Sequence, residues 1–296
     1  MSPRSKKKRP VPSALGWAFL ALFVLVTVLA FLWVVRPIYR PKSRPRVSPS
    51  PPAKPSLPVV KQPIFKQPIL KRPKPSPLKP LVAIIIDDMG QNPRLERKFF
   101  ELGLPLTFSF LPYAPFTKKL AREAHSRGFE VMVHIPLEAQ NHQYTPGLIQ
   151  LDMSEGRVKY LVRQAILAVP YAVGVNHHMG SLFTEDKLHV RWLLEAVAAE
   201  GLFYIDSRTT KNTVVPVVAR ELGLPFAERR VFLDHTLADR EIEHSFRILV
   251  KKARKEGRLV AIGHPHPQTL KALKRTKVWL TEEVLLVPAS KIVRRP

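Results

Sequence analysis

The chain has 296 residues, of which 45% are hydrophobic and 30 are prolines, with a formal charge of +25 and no cysteine. The length suits one large α/β domain with appendages or two small domains, and the lack of cysteine excludes disulfides and thiolate metal sites. Residues 1–80 hold 17 of the 48 Lys and Arg residues and none of the 23 acidic residues. Nucleic-acid binding is not expected, because this basic segment lacks interleaved aromatic residues for stacking beyond Tyr39 and Phe65.

A basic segment, residues 1–13, precedes a run of 22 residues without a charge, residues 14–35. As a helix this run would be about 33 Å long, enough to cross a hydrocarbon core of about 30 Å. A cleavable signal peptide is the alternative, but the apolar region exceeds the usual length of about 7–15 residues and no small-residue cleavage site follows. Cations flank both ends, and a short basic N-terminus usually stays in the cytoplasm. We therefore predict a single-pass anchor that exports everything after residue 36.

Residues 36–80 contain 14 prolines, 12 Lys or Arg residues and no acidic residue, with KQPIF and KQPIL in tandem from Lys61 and Lys66. Such a segment cannot bury enough apolar surface to fold, and its prolines favour extended polyproline II. Fully extended at about 3.1 Å per residue, it would reach about 130 Å. We predict a disordered linker. Its cations could bind anionic lipid or an anionic wall polymer; alternatively, the linker is only a soluble spacer.

Residues 81–296 alternate between strand-like and helix-like patterns and are predicted to form the folded domain. Apolar runs predict strands near 81–86, 106–110, 130–134, 172–175, 202–205, 231–233 and 259–262. Helical periodicity covers 116–127, 156–169, 186–200, 214–222 and 241–256. This alternation predicts a mostly parallel sheet or barrel, because parallel strands need a long crossover. The connection 136–154 lacks clear periodicity, and loops of that length are usually functional or mobile.

Polar residues follow the apolar cores of six predicted strands. These residues are Asp87 and Asp88; His134 and Glu138; Asn176, His177, His178 and Ser181; Asp206 and Arg208; Asp234 and His235; and His264 and His266. The carboxyl ends of parallel strands meet at one rim, and imidazoles with carboxylates suit Zn²⁺, Mn²⁺ or similar ions. Any one of them alone is more often a structural residue or a helix cap.

The adjacent pair Asp87 and Asp88 ends the first strand. Successive strand residues point to opposite faces, so both can serve one site only if the turn at residues 89–90 rotates the second. Otherwise one carboxylate is expected to cap the helix that follows near Asn92.

Seven segments carry a family resemblance: AIIIDDMG, LTFSFLPYAP, GFEVMVHIPLE, VGVNHHMGS, FYIDSRTT, FLDH and AIGHPHPQTL. As a set they resemble the divergent polysaccharide deacetylases, distant relatives of the NodB-type carbohydrate esterases, from residue 81 to about residue 290. The resemblance implies a distorted (β/α) barrel of about seven strands. It also implies metal-dependent hydrolysis of an amide or ester on an acylated sugar.

The resemblance further implies a role for individual residues. Asp87 corresponds to the general base, Asp206 to a residue that supports the base, and His264 to the general acid. Asp88 and His134 correspond to metal ligands. The family's second histidine, in an HxxxH pattern, is replaced by Glu138, and His178 is inferred to supply the missing ligand, whereas His177 stands where asparagine is common. Residues expected to orient these groups are Glu138, Asn176, Arg208 and His266, with a structural salt bridge as the alternative for Glu138.

The resulting hypothesis is a hydrolase anchored in the inner membrane, with its N-terminus cytoplasmic and its domain periplasmic. It would use a divalent ion, preferably Zn²⁺, on an acylated polysaccharide or peptidoglycan fragment. The alternative is a catalytically silent, envelope-anchored domain that binds a glycan or a protein.

Overall fold

The computed structural model describes residue 27 and residues 79–295. The predicted basic segment 1–13, the predicted anchor 14–35 apart from residue 27, and the predicted linker up to residue 78 lie outside the described residues. Within the described part of the chain, no helix is long and apolar enough to cross a bilayer.

Strands and helices alternate along residues 81–286. The strands are β1 (Leu81–Met89), β2 (Thr107–Phe110), β3 (Glu130–Leu137), β4 (Ala172–Met179), β5 (Phe203–Asp206), β6 (Phe226–Phe232), β7 (Arg258–Gly263) and β8 (Leu285–Leu286). The α-helices are α1 (Pro93–Phe100), α2 (Thr117–Ser126), α3 (Glu155–Ala168), α4 (Lys187–Ala199), α5 (Val215–Glu221), α6 (Asp239–Glu256) and α7 (Pro267–Glu283). Short 3₁₀ helices lie at Phe183–Glu185 and Ala289–Lys291.

Strands β1 to β7 form a closed parallel barrel. Each strand pairs with the next in chain order, and β1 closes the ring by pairing with both β7 and β2. The pairing of β1 with β2 begins only at Ile85, while β8 pairs with Leu81 and Val82 along the same edge of β1. The barrel is therefore distorted at this seam, and the predicted distorted (β/α) barrel of about seven strands is confirmed.

Alternate residues of the strands face two apolar cores. In β1, Ala83 and Ile85 face the barrel interior, whereas Val82, Ile84 and Ile86 pack between the strands and the surrounding helices. Ala289 and Ile292, from the chain beyond β8, pack into the interior core. This C-terminal segment is held by Ala289 N, which donates to Thr107 Oγ1 at 3.0 Å. Because it occupies the end where the strands begin, the opposite end, where they finish, is the one free to hold a site.

Several elements differ from the sequence prediction. Helix α7 and the short strand β8 are additional, β1, β3 and β4 end three or four residues later than predicted, and β6 begins at Phe226 instead of residue 231. The first half of β6 carries Glu228, Arg229 and Arg230. These charged residues hide the strand from a search for apolar runs.

Candidate metal centre

The turn after β1 brings both aspartates to one cavity. Asp88 has a left-handed backbone, with φ 54°, and the pairing of β1 with β2 shifts register between Ile86 and Met89. This irregularity breaks the strand alternation, and Asp87 and Asp88 both line the cavity at the carboxyl ends of the strands. The condition under which the two aspartates can serve one site is therefore met.

A buried glutamate holds this turn in place. The carboxylate of Glu96 accepts hydrogen bonds from the backbone N–H groups of Gly90, Gln91 and Asn92 at 2.8, 2.8 and 2.6 Å. Asn92, not an aspartate, caps α1 by accepting from Leu95 N at 3.1 Å. Neither Asp87 nor Asp88 is thus needed to cap the helix, which leaves both for the cavity.

Gly90 is required by its neighbours as well as by its backbone. Its φ of 107° is rarely adopted by residues with a side chain, and a Cβ there would lie 2.3 Å from Thr117 Oγ1.

Three side chains from three strands converge at the cavity. Asp88 Oδ1 lies 2.8 Å from His178 Nδ1 and 3.2 Å from His134 Nε2. One donor atom from each residue lies within 4.8 Å of the other two. Asp88 Oδ1 is buried and makes no hydrogen bond of proper geometry with any described residue. Two imidazole nitrogens lie close to this oxygen without a hydrogen bond to it. The three atoms are therefore suited to bind one cation together.

The amide of Asn176 determines which nitrogen of His134 carries the proton. Asn176 Nδ2 donates to both carboxylate oxygens of Asp87, at 2.8 and 3.0 Å, so its Oδ1 faces the other way. That oxygen accepts from Ser109 Oγ at 2.6 Å and from His134 Nδ1 at 2.8 Å. Nδ1 of His134 therefore carries hydrogen, and in the neutral ring the lone pair of Nε2 faces Asp88. The donor set of Asp88, His134 and His178 thus suits a divalent metal ion.

The electrostatics of the three side chains also favour a cation at this centre. Burial lowers the pKa of His134, but the charge of Asp87 and the contact with Asp88 outweigh it and raise that pKa to about 9. Burial raises the pKa of Asp88, but His134 and His178 outweigh it and hold that pKa well below its usual range. The carboxylates of Asp87 and Asp88 thus favour a positive charge at this position.

Asp87 is buried beside this centre. Burial raises its pKa, and the charges of His134 and His264 and the hydrogen bond from Asn176 oppose the rise. His134 Nδ1 lies 3.7 Å from Asp87 Oδ2. A carboxylate with a raised pKa next to a metal centre is suited to accept a proton.

His264 also lines the cavity and is oriented by Asp234. His264 Nδ1 lies 2.9 Å from Asp234 Oδ1, and Asp234 Oδ2 accepts from His264 N and Thr269 Oγ1, each at 2.6 Å. Burial lowers the pKa of His264, but Asp234 outweighs it and raises that pKa. Nε2 remains on the cavity side, 3.9 Å from Asp88 Oδ2. Asp234 was recognised as a strand-end residue in FLDH, but no pattern in the sequence linked it to His264, 30 residues later.

Asp206 is the last residue of β5, and its hydrogen bonds are with the segment that follows the strand. Phe203 and Ile205 face the barrel interior and Tyr204 faces the helices, so the alternation of β5 directs Asp206 outward too. Its carboxylate accepts from Arg208 N at 2.8 Å and Thr213 Oγ1 at 3.0 Å. Burial raises its pKa to about 6. Among the described residues, Asn176 and not Asp206 makes the hydrogen bonds to Asp87, and the expected role of Asp206 in supporting the base stays a prediction.

The other expected orienting residues have separate contacts. Glu138 accepts from Leu151 N at 2.8 Å and lies 3.4 Å from His142 Nδ1, so it ties down the loop after β3 instead of orienting His134 or His178. Arg208 pairs with Glu228. His266 precedes α7, and its backbone N donates to His264 O at 2.8 Å. Its side chain groups with those of Asp234 and His264, and the two imidazole centroids lie 5.9 Å apart.

The two adjacent histidines of β4 also have different surroundings. His178 contacts Asp88, whereas the fully buried ring of His177 places Nδ1 2.9 Å from the Tyr204 hydroxyl. Burial lowers the pKa of His177 to about 3, so this ring is neutral. The cavity that these residues border has a volume of about 370 Å³, within the range of about 300–1,000 Å³ for small-molecule sites.

Comparison with known sequences places this centre in a family. Residues 84–293 match the family model described as divergent polysaccharide deacetylase. The chain belongs to this family. In this member of the family, Asp88, His134 and His178 are grouped at the mouth of a seven-stranded barrel.

The chain is similar to two bacterial proteins that are both named as uncharacterized. The chain is 32% identical over 216 residues to YibQ of Escherichia coli K12, covering 73% of this chain and 68% of YibQ. It is also 32% identical over 207 residues to a protein of Haemophilus influenzae, covering 70% of this chain and 74% of that protein. Among solved structures, ATU2773 of Agrobacterium tumefaciens C58 is similar with a TM-score of 0.70 at 17% identity, over 75% of this chain and 92% of that one. This last similarity shows a shared fold.

Proposed function

We propose that this protein is a metal-dependent hydrolase that removes an acyl group from an acylated polysaccharide or peptidoglycan fragment of the cell envelope. The observation that carries the proposal is the convergence of Asp88, His134 and His178 between Asp87 and the His264–Asp234 pair. Membership of the divergent polysaccharide deacetylase family supports the class of substrate.

The residues that would hold the metal are Asp88 through Oδ1, His134 through Nε2 and His178 through Nδ1. Three protein ligands are typical of hydrolytic metal sites, which keep an open position. A divalent ion bound there, with Zn²⁺ the preferred candidate, would polarise the acyl carbonyl and lower the pKa of water.

The remaining chemistry belongs to side chains of the chain itself. Asp87 accepts the proton of the attacking water, and Asn176 fixes the carboxylate through two hydrogen bonds. His264, held by Asp234, donates a proton from Nε2 to the leaving nitrogen or oxygen of the sugar. The proposed base thus lies 3.7 Å from Nδ1 of His134, and Nε2 of the proposed acid lies 3.9 Å from Asp88 Oδ2.

Substitution of the base tests this function directly. We expect Asp87→Asn to lower the rate of acetate release by about 10²- to 10⁴-fold, the usual contribution of a positioned acid or base. Affinity for metal and glycan should remain nearly intact. Acetate release from peptidoglycan fragments and chito-oligosaccharides would be measured together with metal binding by calorimetry.

The exposed Asp152 offers a matched control, since Asp152→Asn removes the same charge away from the cavity and should leave the rate unchanged. If the metal-loaded wild-type protein binds these glycans but releases no acyl group from any of them, the protein is a glycan-binding domain and the hydrolase proposal is wrong.

A further inference from the structure

Arg229 is an immobilised cation in the wall of the cavity. Its Nε donates to Ser207 O at 2.6 Å and its Nη2 donates to Arg208 O at 2.7 Å. The guanidinium also lies over the ring of Phe232, 4.8 Å from the ring centroid. Two backbone carbonyls and one aromatic face thus fix its plane without neutralising its charge.

The neighbouring arginines are paired, but Arg229 is not. Arg208 pairs with Glu228, and Arg230 pairs with Glu256 at 3.0 Å. No carboxylate of the described residues lies within 4.0 Å of Arg229, although Asp206 and Asp87 attract it from farther away. Of its five N–H groups, the two bonds to carbonyls account for two. The two on Nη1 and the second on Nη2 remain for a ligand.

Arg229 and His264 both contact Phe232, and all three residues line the cavity. The Arg229 guanidinium lies 4.8 Å from the centroid of the Phe232 ring, and the centroid of the His264 ring lies 5.2 Å from it. A sugar whose acyl group reaches His264 would therefore present another of its substituents to Arg229. A guanidinium with an open pair of N–H groups matches the two oxygens of a carboxylate, and a single cation balances a single negative charge.

We propose that Arg229 binds a carboxylate carried by the substrate, so that the preferred substrate is an acylated acidic sugar. This inference rests on the proposed function for the position of the acyl group, but it predicts a binding preference that is measurable without turnover. A fixed cation should bind a sugar with an ionised carboxylate more tightly than the same sugar with a neutral ester in its place.

Acid and methyl-ester pairs of the same sugar test the inference. The probes are an N-acetylmuramic acid disaccharide with its methyl ester, and an acetylated oligouronate with its methyl ester. Dissociation constants would be measured by calorimetry on the Zn²⁺-loaded Asp87→Asn protein, with and without Arg229→Gln. Initial rates would be measured on the wild-type background with the same probes.

We expect at least one acid to bind about 10- to 100-fold more tightly than its ester, as a charge-assisted bidentate pair allows. Arg229→Gln should abolish that preference and leave the affinity for the ester within about 3-fold. Arg229→Lys should retain part of the preference, since it keeps the charge but loses the fork. The control Arg230→Gln removes a cation that pairs with Glu256 outside the cavity and should retain all of it.

Equal affinity for acid and ester in both pairs would overturn the inference. An equal loss of affinity for acid and ester in Arg229→Gln would also overturn it, because Arg229 would then support the fold or Asp87. Thermal unfolding of each variant separates these two roles, and Arg229→Lys replaces the glutamine variant if the latter does not fold. If the acid is preferred in binding but no probe is hydrolysed, the hydrolase proposal fails and this inference stands.

Discussion

Asn176 links Asp87, the proposed base, and His134, a proposed metal ligand, through a single amide. Its Nδ2 holds Asp87 and its Oδ1 holds the ring of His134, while Ser109 fixes the amide from behind. Reversal of the amide would place an N–H group against His134 Nδ1–H and an oxygen against a carboxylate. The protonation of His134 and the orientation of Asp87 are therefore coupled.

The assignment of His134 and His178, but not His177, as metal ligands can be tested by substitution. We expect His134→Ala and His178→Ala each to weaken metal binding by more than about 100-fold, because the loss of even an orienting partner costs about 10- to 100-fold. His177→Asn should keep the affinity, since His177 contacts Tyr204 and not Asp88. Calorimetric titration with Zn²⁺ measures all three. Loss of the ion in His177→Asn and its retention in His178→Ala would show that the ligand has been assigned to the wrong histidine.

The turn between β1 and α1 shows how one element shapes the site. Glu96 lies on the first turns of α1, yet its carboxylate gathers three N–H groups of the turn that follows Asp88. The helix thereby fixes the strand end, and the left-handed conformation of Asp88 is held from both sides.

Replacement of Glu96 should expose this coupling. We expect Glu96→Gln to lower the free energy of unfolding by about 1–3 kcal/mol, because the side-chain NH₂ would face a buried N–H donor. Metal affinity should fall with it, since the turn no longer holds Asp88. Chemical denaturation and Zn²⁺ titration measure the two effects. Glu101→Gln, an exposed glutamate at the end of the same helix, is the control, and equal unfolding midpoints for the two variants would contradict this role of Glu96.

The two ends of the barrel differ in structure. Ala289 and Ile292 close the end where the strands begin, while the end where they finish carries the candidate metal centre. The proposed arrangement adds an inner-membrane anchor at residues 14–35 and a basic linker at residues 36–80, with the barrel in the periplasm. A linker of about 130 Å when extended would let the barrel reach a glycan at a distance from the membrane.

Topology is measurable with fusions. A reporter that is active only outside the cytoplasm, joined after residue 80, should give signal, and the same reporter joined after residue 13 should give none. The expectation follows from the basic N-terminus and the uncharged run of 22 residues. The opposite pattern of signal would reverse the proposed orientation and remove the barrel from the envelope.

The class of fold and the rim on which the polar residues gather follow from the order of residues along the chain. Apolar runs that alternate with helical periodicity require parallel strands, and parallel strands bring their carboxyl ends to one end of a barrel. Asp88, His134 and His178 could be named as ligands because the family motifs mark those positions. The structure brings these three side chains together, although metal binding itself stays a prediction.

The face that each strand-end residue occupies, and the partner that it contacts, depend on how the strands pack in three dimensions. The left-handed turn at Asp88 moves it into the cavity beside Asp87, whereas the regular alternation of β5 directs Asp206 away from it. Asp234 reaches His264 across 30 residues, and Asn176 reaches Asp87 across 89. Backbone irregularities and distant partners arise from contacts between strands, and a single sequence read by local periodicity contains no record of them.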